Sequence, residues 1–370
     1  MGPTQVIIDH NHLRHNFHLI KELVHPAKIL CVIKANAYGH GVIEVSRTLI
    51  NEGADYMGVA YPEEGIKLRK AGIKIPILLF GVHLSDTFRK LVQYDIDITL
   101  TDMEQIAPLK ETCRQLNKKA RIHIKFDTGM NRVGFRVDQL ELAVKSIFSE
   151  KLFEVIGVYS HFSSSDDNDL NYTKNQLERF EEIKTNINNK YTQQILYHIA
   201  NSGAIMQLKD SHQDMVRPGA MLYGYPPDPN FKLINNIKEV MTFASKIVLI
   251  KKIDSGEPVS YGRRFYTKAE TQIAIIPVGY ADGYSRRFTN NGEVIIKGKR
   301  YPIIGAVCMD QIIVDLGSDT DLQIGDEVIL LGKQGEAYIS NTDLCKQLGT
   351  IPYEITCGIS RRVQRVHINL

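Results

Sequence analysis

From Ile29 to about Tyr223, short apolar runs alternate with longer segments in which apolar residues recur at helical spacing. The runs predict strands over Ile29–Ile33, Tyr56–Ala60, Ile77–Phe80, Ile98–Thr101, Ile122–Phe126, Ile156–Ser160, Tyr197–Ala200 and Met215–Val216. The periodic segments predict helices near Gly41–Asn51, Pro62–Ala71, Ser85–Tyr94, Asp102–Asn117, Asp138–Ser149, Asn171–Asn188 and Ser202–Leu208. Strands separated singly by helices pair in parallel, and this number of strands closes a barrel. A doubly wound open sheet is the alternative, weakened because no G-x-G-x-x-G follows the first strand.

After about Lys232 the texture changes. Met241–Lys251, Gln272–Val278, Glu293–Ile296, Gln311–Asp315 and Asp326–Leu331 read as strands punctuated by Asp-Ser-Gly, Asn-Asn-Gly, Lys-Gly-Lys and Leu-Gly-Ser. P-P-D-P-N breaks any helix at the join. The expectation is an α/β chain: an eight-stranded β/α barrel over residues 1–232, then a mostly β domain over 233–370.

Composition narrows the function. The chain has 370 residues, 43% hydrophobic and 24% charged, enough for two cored domains. A net charge of +3 with scattered Lys and Arg is no nucleic-acid signature. No apolar run approaches the ~18 residues of a membrane span. The start lacks the basic and apolar regions of a signal peptide, and Val6 sits where a myristoylation site needs Ser or Thr. The five cysteines are odd in number and show no C-x-x-C spacing, which favours reduced thiols, no structural zinc and a cytoplasmic protein.

Chemistry gathers where the predicted strands end, the functional face of a β/α barrel. The first strand ends at Lys34, in V-I-K-A-N-A-Y-G-H-G. A lone lysine there is ordinarily a solvated strand end, yet desolvation would make it a nucleophile for imine chemistry. The fifth strand leads to Lys125 and Arg132, the sixth to His161, the seventh to Asn201 and Ser202, the eighth to Arg217. Ser202 is most simply a helix N-cap, but a helix start also suits phosphate. Lysine, phosphate site, histidine and arginine in one mouth are what pyridoxal phosphate needs.

V-I-K-A-N-A-Y-G-H-G, K-x-D-T-G-M-x-R-x-G, Y-S-H-F, H-x-A-N-S, R-P-G-A-M-L-Y-G, V-S-Y-G, V-G-Y-A-D-G, C-M-D-Q and P-Y-E-x-x-C run in order from Val32 to Cys357. Together they resemble the alanine racemase family over nearly the whole chain. The resemblance implies that Lys34 holds pyridoxal phosphate as an imine. It implies that Tyr38, Ser202, Tyr353 and the backbone at Gly219 and Ala220 hold the phosphate. It places His161 by the pyridine ring and Arg217 at the pyridine nitrogen. Tyr261 and Met309 are implied to enter the site from a partner subunit of a homodimer. Arg132 is implied to contact the substrate carboxylate, with Lys125, carbamylated in many relatives, steadying it. The implied activity is interconversion of L- and D-alanine, supplying D-alanine for peptidoglycan.

The chemistry fits those roles. Racemisation removes a proton from one face of the α-carbon and returns one on the other, so two bases suffice: Lys34 and Tyr261. Both ordinarily titrate near ~10 and need environments that lower this. An arginine at position 217 cannot readily give up a proton, so the ring nitrogen stays neutral and transamination is suppressed. A barrel-type amino-acid decarboxylase, one rival, uses a glutamate there. A serine or broad-specificity racemase of the same fold is another. A non-enzymatic pyridoxal phosphate-binding barrel lacks the β domain with Tyr261 and Cys308-Met309.

Other motifs read as structural. Asp127-Thr128-Gly129 and Asp254-Ser255-Gly256 match aspartic-protease triplets but lie in differently textured regions. Asp167, Asp169, Asn171 and Glu178 resemble an EF-hand loop except at Tyr172, and Asn171-Tyr172-Thr173 is a sequon without a secretory route. His40 and His198 read as hydrogen-bonded structural residues, not metal ligands. Asn131 and Ala220 depart from the family pattern, which favours glycine and a larger aliphatic there.

Overall fold

The computed structural model describes residues 2–370. The chain divides into two compact units. One comprises Leu13–Leu222 with Asn230–Ile237; the other comprises the chain up to His12, Tyr223–Pro229 and Lys238–Leu370.

The first unit is the expected parallel barrel. Lys28–Val32, Tyr56–Val59, Ile77–Leu79, Asp97–Leu100, Ala120–Asp127, Phe153–Tyr159 and Leu196–His198 pair in sequence order, with Met215–Val216 back on Lys28–Val32. Every one of these pairings is parallel. Between the last two strands the ring is bridged by single backbone bonds, from Asp214 N–H to Tyr197 O and from Arg217 N–H to Ala200 O. Apolar residues fill the interior, among them Leu30, Tyr56, Leu78 and Met215, with Phe80 packed against them. Gly157 leaves room for a polar guest: a Cβ there would meet His123 Nδ1 at 2.4 Å.

The second unit is mostly β. One sheet orders Lys299–Pro302, Glu293–Ile296, Glu327–Gln334, Met241–Lys246, Gln5–Asp9 and Gln364–Ile368 side by side. A separate antiparallel sheet joins Leu249–Ile253, Thr271–Ile276 and Ile312–Gly317. A short ribbon pairs Pro258–Val259 with Phe265–Tyr266.

Three features differ from the sequence reading. Residues up to His12 belong with the β unit and not with the barrel, because Gln5–Asp9 pairs antiparallel with Met241–Lys246 and parallel with Gln364–Ile368. The helix His10–Val24 was not anticipated, although Leu13, Phe17, Ile20 and Val24 are its buried, helically spaced positions. The run Met241–Lys251 is two strands in different sheets. Ile247 N–H still donates to Asp326 O, whereas Val248 N–H donates to Ile275 O, so pairing switches at that step.

Ile8 is fully buried on the N-terminal strand. Ile8→Ala is expected to destabilise the β unit by about 2–5 kcal/mol through lost burial and a cavity. A urea-unfolding midpoint unchanged from the parent would contradict the placement of this strand in the sheet.

Candidate active site

Lys34 lies just past the first barrel strand and opens a turn of unusual hand. Ala35, Asn36, Ala37 and Tyr38 all have φ between 53° and 56°. Left-handed helix costs about 1–2 kcal/mol per non-glycine residue, so the turn needs outside support. Support comes from several sides. Glu64 Oε1 accepts the Ala35 N–H at 2.6 Å, and buried His40 donates from Nδ1 to Ala37 O and Tyr38 O, each at 2.9 Å. Asn36 Oδ1 accepts the Val42 N–H at 3.1 Å, starting the following helix Val42–Asn51. The expected strand–turn–helix is present, with the turn wound left-handed.

Arg217 is buried at the mouth of the same barrel. Its Nη2 donates to Ser160 O at 2.6 Å, Ile199 O at 3.0 Å and His161 Nδ1 at 3.1 Å, and its Nη1 to His198 Nδ1 at 2.9 Å. Burial pulls its pKa down to about 10, which leaves it charged at neutral pH. Burial first, and then the Arg217 charge, hold His161 and His198 well below the usual histidine range. Tyr159 stacks on His198 with ring centroids 4.8 Å apart. Behind His198 the polar contacts continue into the barrel. His198 Nε2 lies 3.0 Å from His123 Nδ1, and His123 Nε2 lies 3.6 Å from Asp97 Oδ2. Asp97 accepts from Arg121 Nε at 2.8 Å and from the Tyr56 hydroxyl at 3.0 Å. Burial alone raises the Asp97 carboxyl, but His123 and Arg121 more than offset this and hold it below its ordinary value. His198 is structural as expected; its partnership with Arg217 was not foreseen, nor were Glu64, His123 and Asp97.

Within the barrel unit, the phosphate candidates Tyr38, Ser202 and Gly219 meet. Ser202 Oγ accepts the N–H groups of Gly219 at 3.0 Å and Met221 at 3.4 Å. A Cβ at position 219 would stand 2.7 Å from the Tyr38 hydroxyl oxygen, so only glycine allows this approach. Ala220 follows, buried, at the start of the short helix Ala220–Tyr223.

Lys125 is buried, with its Nζ 5.6 Å from the centre of the Tyr159 ring. Burial first, then Arg132, Arg217 and Lys34, lower its pKa to about 8 against a weaker pull upward from Asp127. Arg132 is exposed and borders a cleft of about 1000 Å³ with Asp102, Asn131 and Arg179. Asp127 is no protease carboxylate. It accepts the N–H groups of Gly129, Asn131 and Arg132 and so fixes the loop. Asn131 has φ 54°, a conformation that glycine or asparagine adopts most readily, which explains the departure at that position.

In the β unit, Tyr261 stands 74% exposed at the tip of the ribbon and Met309 is 52% exposed. Ser260 donates to Ala306 O at 2.8 Å, which ties the ribbon to the segment carrying Met309. Tyr280 and Ala281 N–H groups donate to Cys308 O and Met309 O. Arg362 grips Asp282 and Asp310, so V-G-Y-A-D-G and C-M-D-Q form one support. Tyr353 lies in the first turn of the helix Pro352–Gly358. No cluster of metal-ligating side chains occurs among the described residues.

Two family models match the chain: the alanine racemase N-terminal domain over residues 8–227 and the alanine racemase C-terminal domain over 240–367. An alanine racemase of Caldanaerobacter subterraneus is 41% identical over 99% of this chain and 95% of that protein. Among solved structures, an alanine racemase of Clostridium difficile superposes with a TM-score of 0.93 at 36% identity, covering 100% of this chain and 96% of the other. An alanine racemase of Bartonella henselae, solved with covalently bound pyridoxal phosphate, superposes with a TM-score of 0.87 at 30% identity over the whole of both chains.

The position of Lys125 makes stability depend on pH. Its pKa is about 8 in the folded chain against an ordinary 10.5. Above the higher value neither state holds the proton. Between the two, only the unfolded chain takes it up, so the penalty grows as pH falls and is constant below the lower value. Relative to the chain with an unmodified Lys125, Lys125→Met is therefore expected to raise the melting temperature near pH 7, with the gain fading toward pH 10. An equal gain at both pH values would contradict the buried, charge-crowded setting.

Proposed function

The chain belongs to the alanine racemase family, and we propose that it interconverts L- and D-alanine with pyridoxal phosphate held in the barrel mouth. The observation that carries this reading is the convergence of Lys34, the Ser202–Gly219 cradle and Arg217 in one barrel unit. The mouth fits the cofactor: the Gly219 N–H bonded to Ser202 Oγ, a glycine that leaves room for the Tyr38 hydroxyl, the Lys34 amine, and the buried positive charge of Arg217. When bound, the cofactor supplies an electron sink that acidifies the α-proton of the amino acid.

The chain's own groups do the rest. Lys34 would anchor the cofactor, and its amine would serve as the base on one face of the α-carbon. Tyr261 of the partner subunit offers its phenolic oxygen to the other face, which makes the protein a homodimer with shared sites. Tyr38, Ser202, Tyr353 and the backbone at Gly219 and Ala220 hold the phosphate. Arg217 presents donors at the pyridine nitrogen without releasing a proton. His161, kept neutral beside Arg217, packs by the ring without adding a charge. Arg132, together with Met309 of the partner subunit, receives the substrate carboxylate. Lys125 steadies Arg132 after its neutral amine adds to carbon dioxide: an N–C bond forms, a proton leaves, and a carbamate anion replaces a cation. A pKa of about 8 supplies that neutral amine near physiological pH. Among the described residues no helix is long and apolar enough to cross a membrane. We place the enzyme in the bacterial cytoplasm, supplying D-alanine for peptidoglycan.

Purified, cofactor-loaded protein given L-alanine is expected to form D-alanine, detected by coupling to D-amino-acid oxidase; no D-alanine would overturn the proposal. Tyr261→Phe is expected to slow exchange of the α-hydrogen from L-alanine far more than from D-alanine. Equal slowing would reverse or remove the assignment of faces. The intact mass of Lys125→Ala should lack the carbamate increment carried by the parent.

A further inference from the structure

The left-handed turn Lys34–Tyr38 sets two of the proposed cofactor contacts at once, since the anchor lysine opens it and the phosphate tyrosine closes it. Four successive non-glycine residues hold a conformation that isolated chains avoid. Something in the fold must fix it. His40 and Asn36 brace it from within the same stretch. From a distant segment, the Glu64 carboxylate bonds to it, 29 residues from Ala35.

Glu64 has an ordinary local duty. It lies in the first turn of the helix Pro62–Lys70, and its Oε2 accepts the N–H groups of Ala60 at 2.9 Å and Tyr61 at 3.1 Å. That is N-terminal capping and needs one oxygen. The other oxygen takes no part in the cap. Oε1 accepts the Ala35 N–H at 2.6 Å, a short, charge-assisted bond to the first left-handed residue after Lys34. One carboxylate thereby joins the mouth ends of the first two barrel strands.

We propose that Glu64 is a positioning residue that latches the left-handed lysine turn, and that through it the fold fixes Lys34 and Tyr38 relative to the phosphate cradle. The inference rests on the reading of Lys34 as the cofactor anchor. Glu64 acts through the backbone N–H groups that its two oxygens accept. Its removal frees the Ala35 N–H, lets the turn relax toward right-handed conformers, and separates the imine-forming group from the phosphate-holding one. Cofactor affinity and kcat should therefore fall together, while KM for alanine, governed elsewhere, holds.

The test uses Glu64→Ala and Glu64→Gln. Glutamine keeps one acceptor oxygen and sets an NH2 against a donor at the other site, so it can serve the cap or Ala35 but not both. Loss of a charge-assisted bond corresponds to about a 10- to 100-fold effect. Glu64→Ala is expected to raise the cofactor dissociation constant and lower kcat by about that factor, with KM for alanine within about threefold. Glu64→Gln should lie between it and the parent. In cofactor-free protein, hydrogen exchange at the Ala35 amide should accelerate in both variants while exchange in the barrel strands does not change. If Glu64→Ala does not fold, Glu64→Gln is judged by the same criteria. Cofactor affinity within twofold of the parent, or unchanged exchange at Ala35, would overturn the latch. Borohydride reduction of the parent holoenzyme followed by peptide mapping tests the anchor separately. A label elsewhere than Lys34 would remove the functional reading, and the exchange experiment would still decide whether Glu64 holds the turn.

Discussion

A guanidinium buried among acceptors that carry no charge governs the barrel mouth. Arg217 bonds to two backbone carbonyls and two imidazoles. Burying such a charge is costly unless every donor finds a partner. Arginine only donates, so both imidazoles must accept through Nδ1 and carry their protons on Nε2. The consequence runs inward. His198 then donates from Nε2 to His123 Nδ1, which places the His123 proton on Nε2, facing the carboxylate of Asp97. One protonation pattern orders the whole file, and it ends with the His123 Nε2–H facing a negative charge 3.6 Å away. The reverse direction would need His198 to accept at both nitrogens, an imidazolate, which is unavailable at neutral pH. A fixed charge at the mouth and a fixed tautomer at each histidine are thus one constraint.

That constraint was only partly visible in the residues. Strand-end logic finds Arg217, His161 and Lys125, because a β/α barrel delivers the ends of its strands to one face and each end can be counted. It does not find His123 or Asp97, which lie within and at the start of their strands and meet only when the sheet closes. Gly157, whose missing side chain admits His123, reads in sequence as a plain strand glycine. The barrel strands themselves were legible because each is a short apolar run flanked by helix signals. Gln5–Asp9 was not, since it pairs with segments that follow it by more than two hundred residues. Nothing in Ala-Asn-Ala-Tyr announces a left-handed turn. Alanine is the best right-handed helix former, and only Asn36 hints otherwise.

The turn and the arginine solve related problems in different ways. Both hold a conformation or charge that is unfavourable alone, and both depend on partners from distant parts of the chain. For the turn these are local imidazole and amide groups plus the Glu64 carboxylate. For Arg217 they are strand-end carbonyls that the barrel geometry leaves without ladder partners. In each case the rigid sheet carries the cost, so the groups at the mouth need not reorganise when a ligand arrives.

The remaining imbalance is electrostatic. Lys34, Arg132 and Arg217 all push the Lys125 pKa downward, and Asp127 alone among its named neighbours pulls upward. Asp127 already serves three backbone N–H groups of its own loop. A cluster of this kind is relieved by anions, and the proposed chemistry offers three: the cofactor phosphate, the substrate carboxylate and a carbamate on Lys125 itself. Each lowers the repulsion felt by the others' counter-charges, so their binding is coupled through the field without any direct contact. Proton release from Lys125 is the least effective relief, since it removes one charge and supplies none. Carbamate formation removes the same charge and adds its opposite. The burial that makes Lys125 a poor cation is thus what makes it a good site for acquiring a negative group.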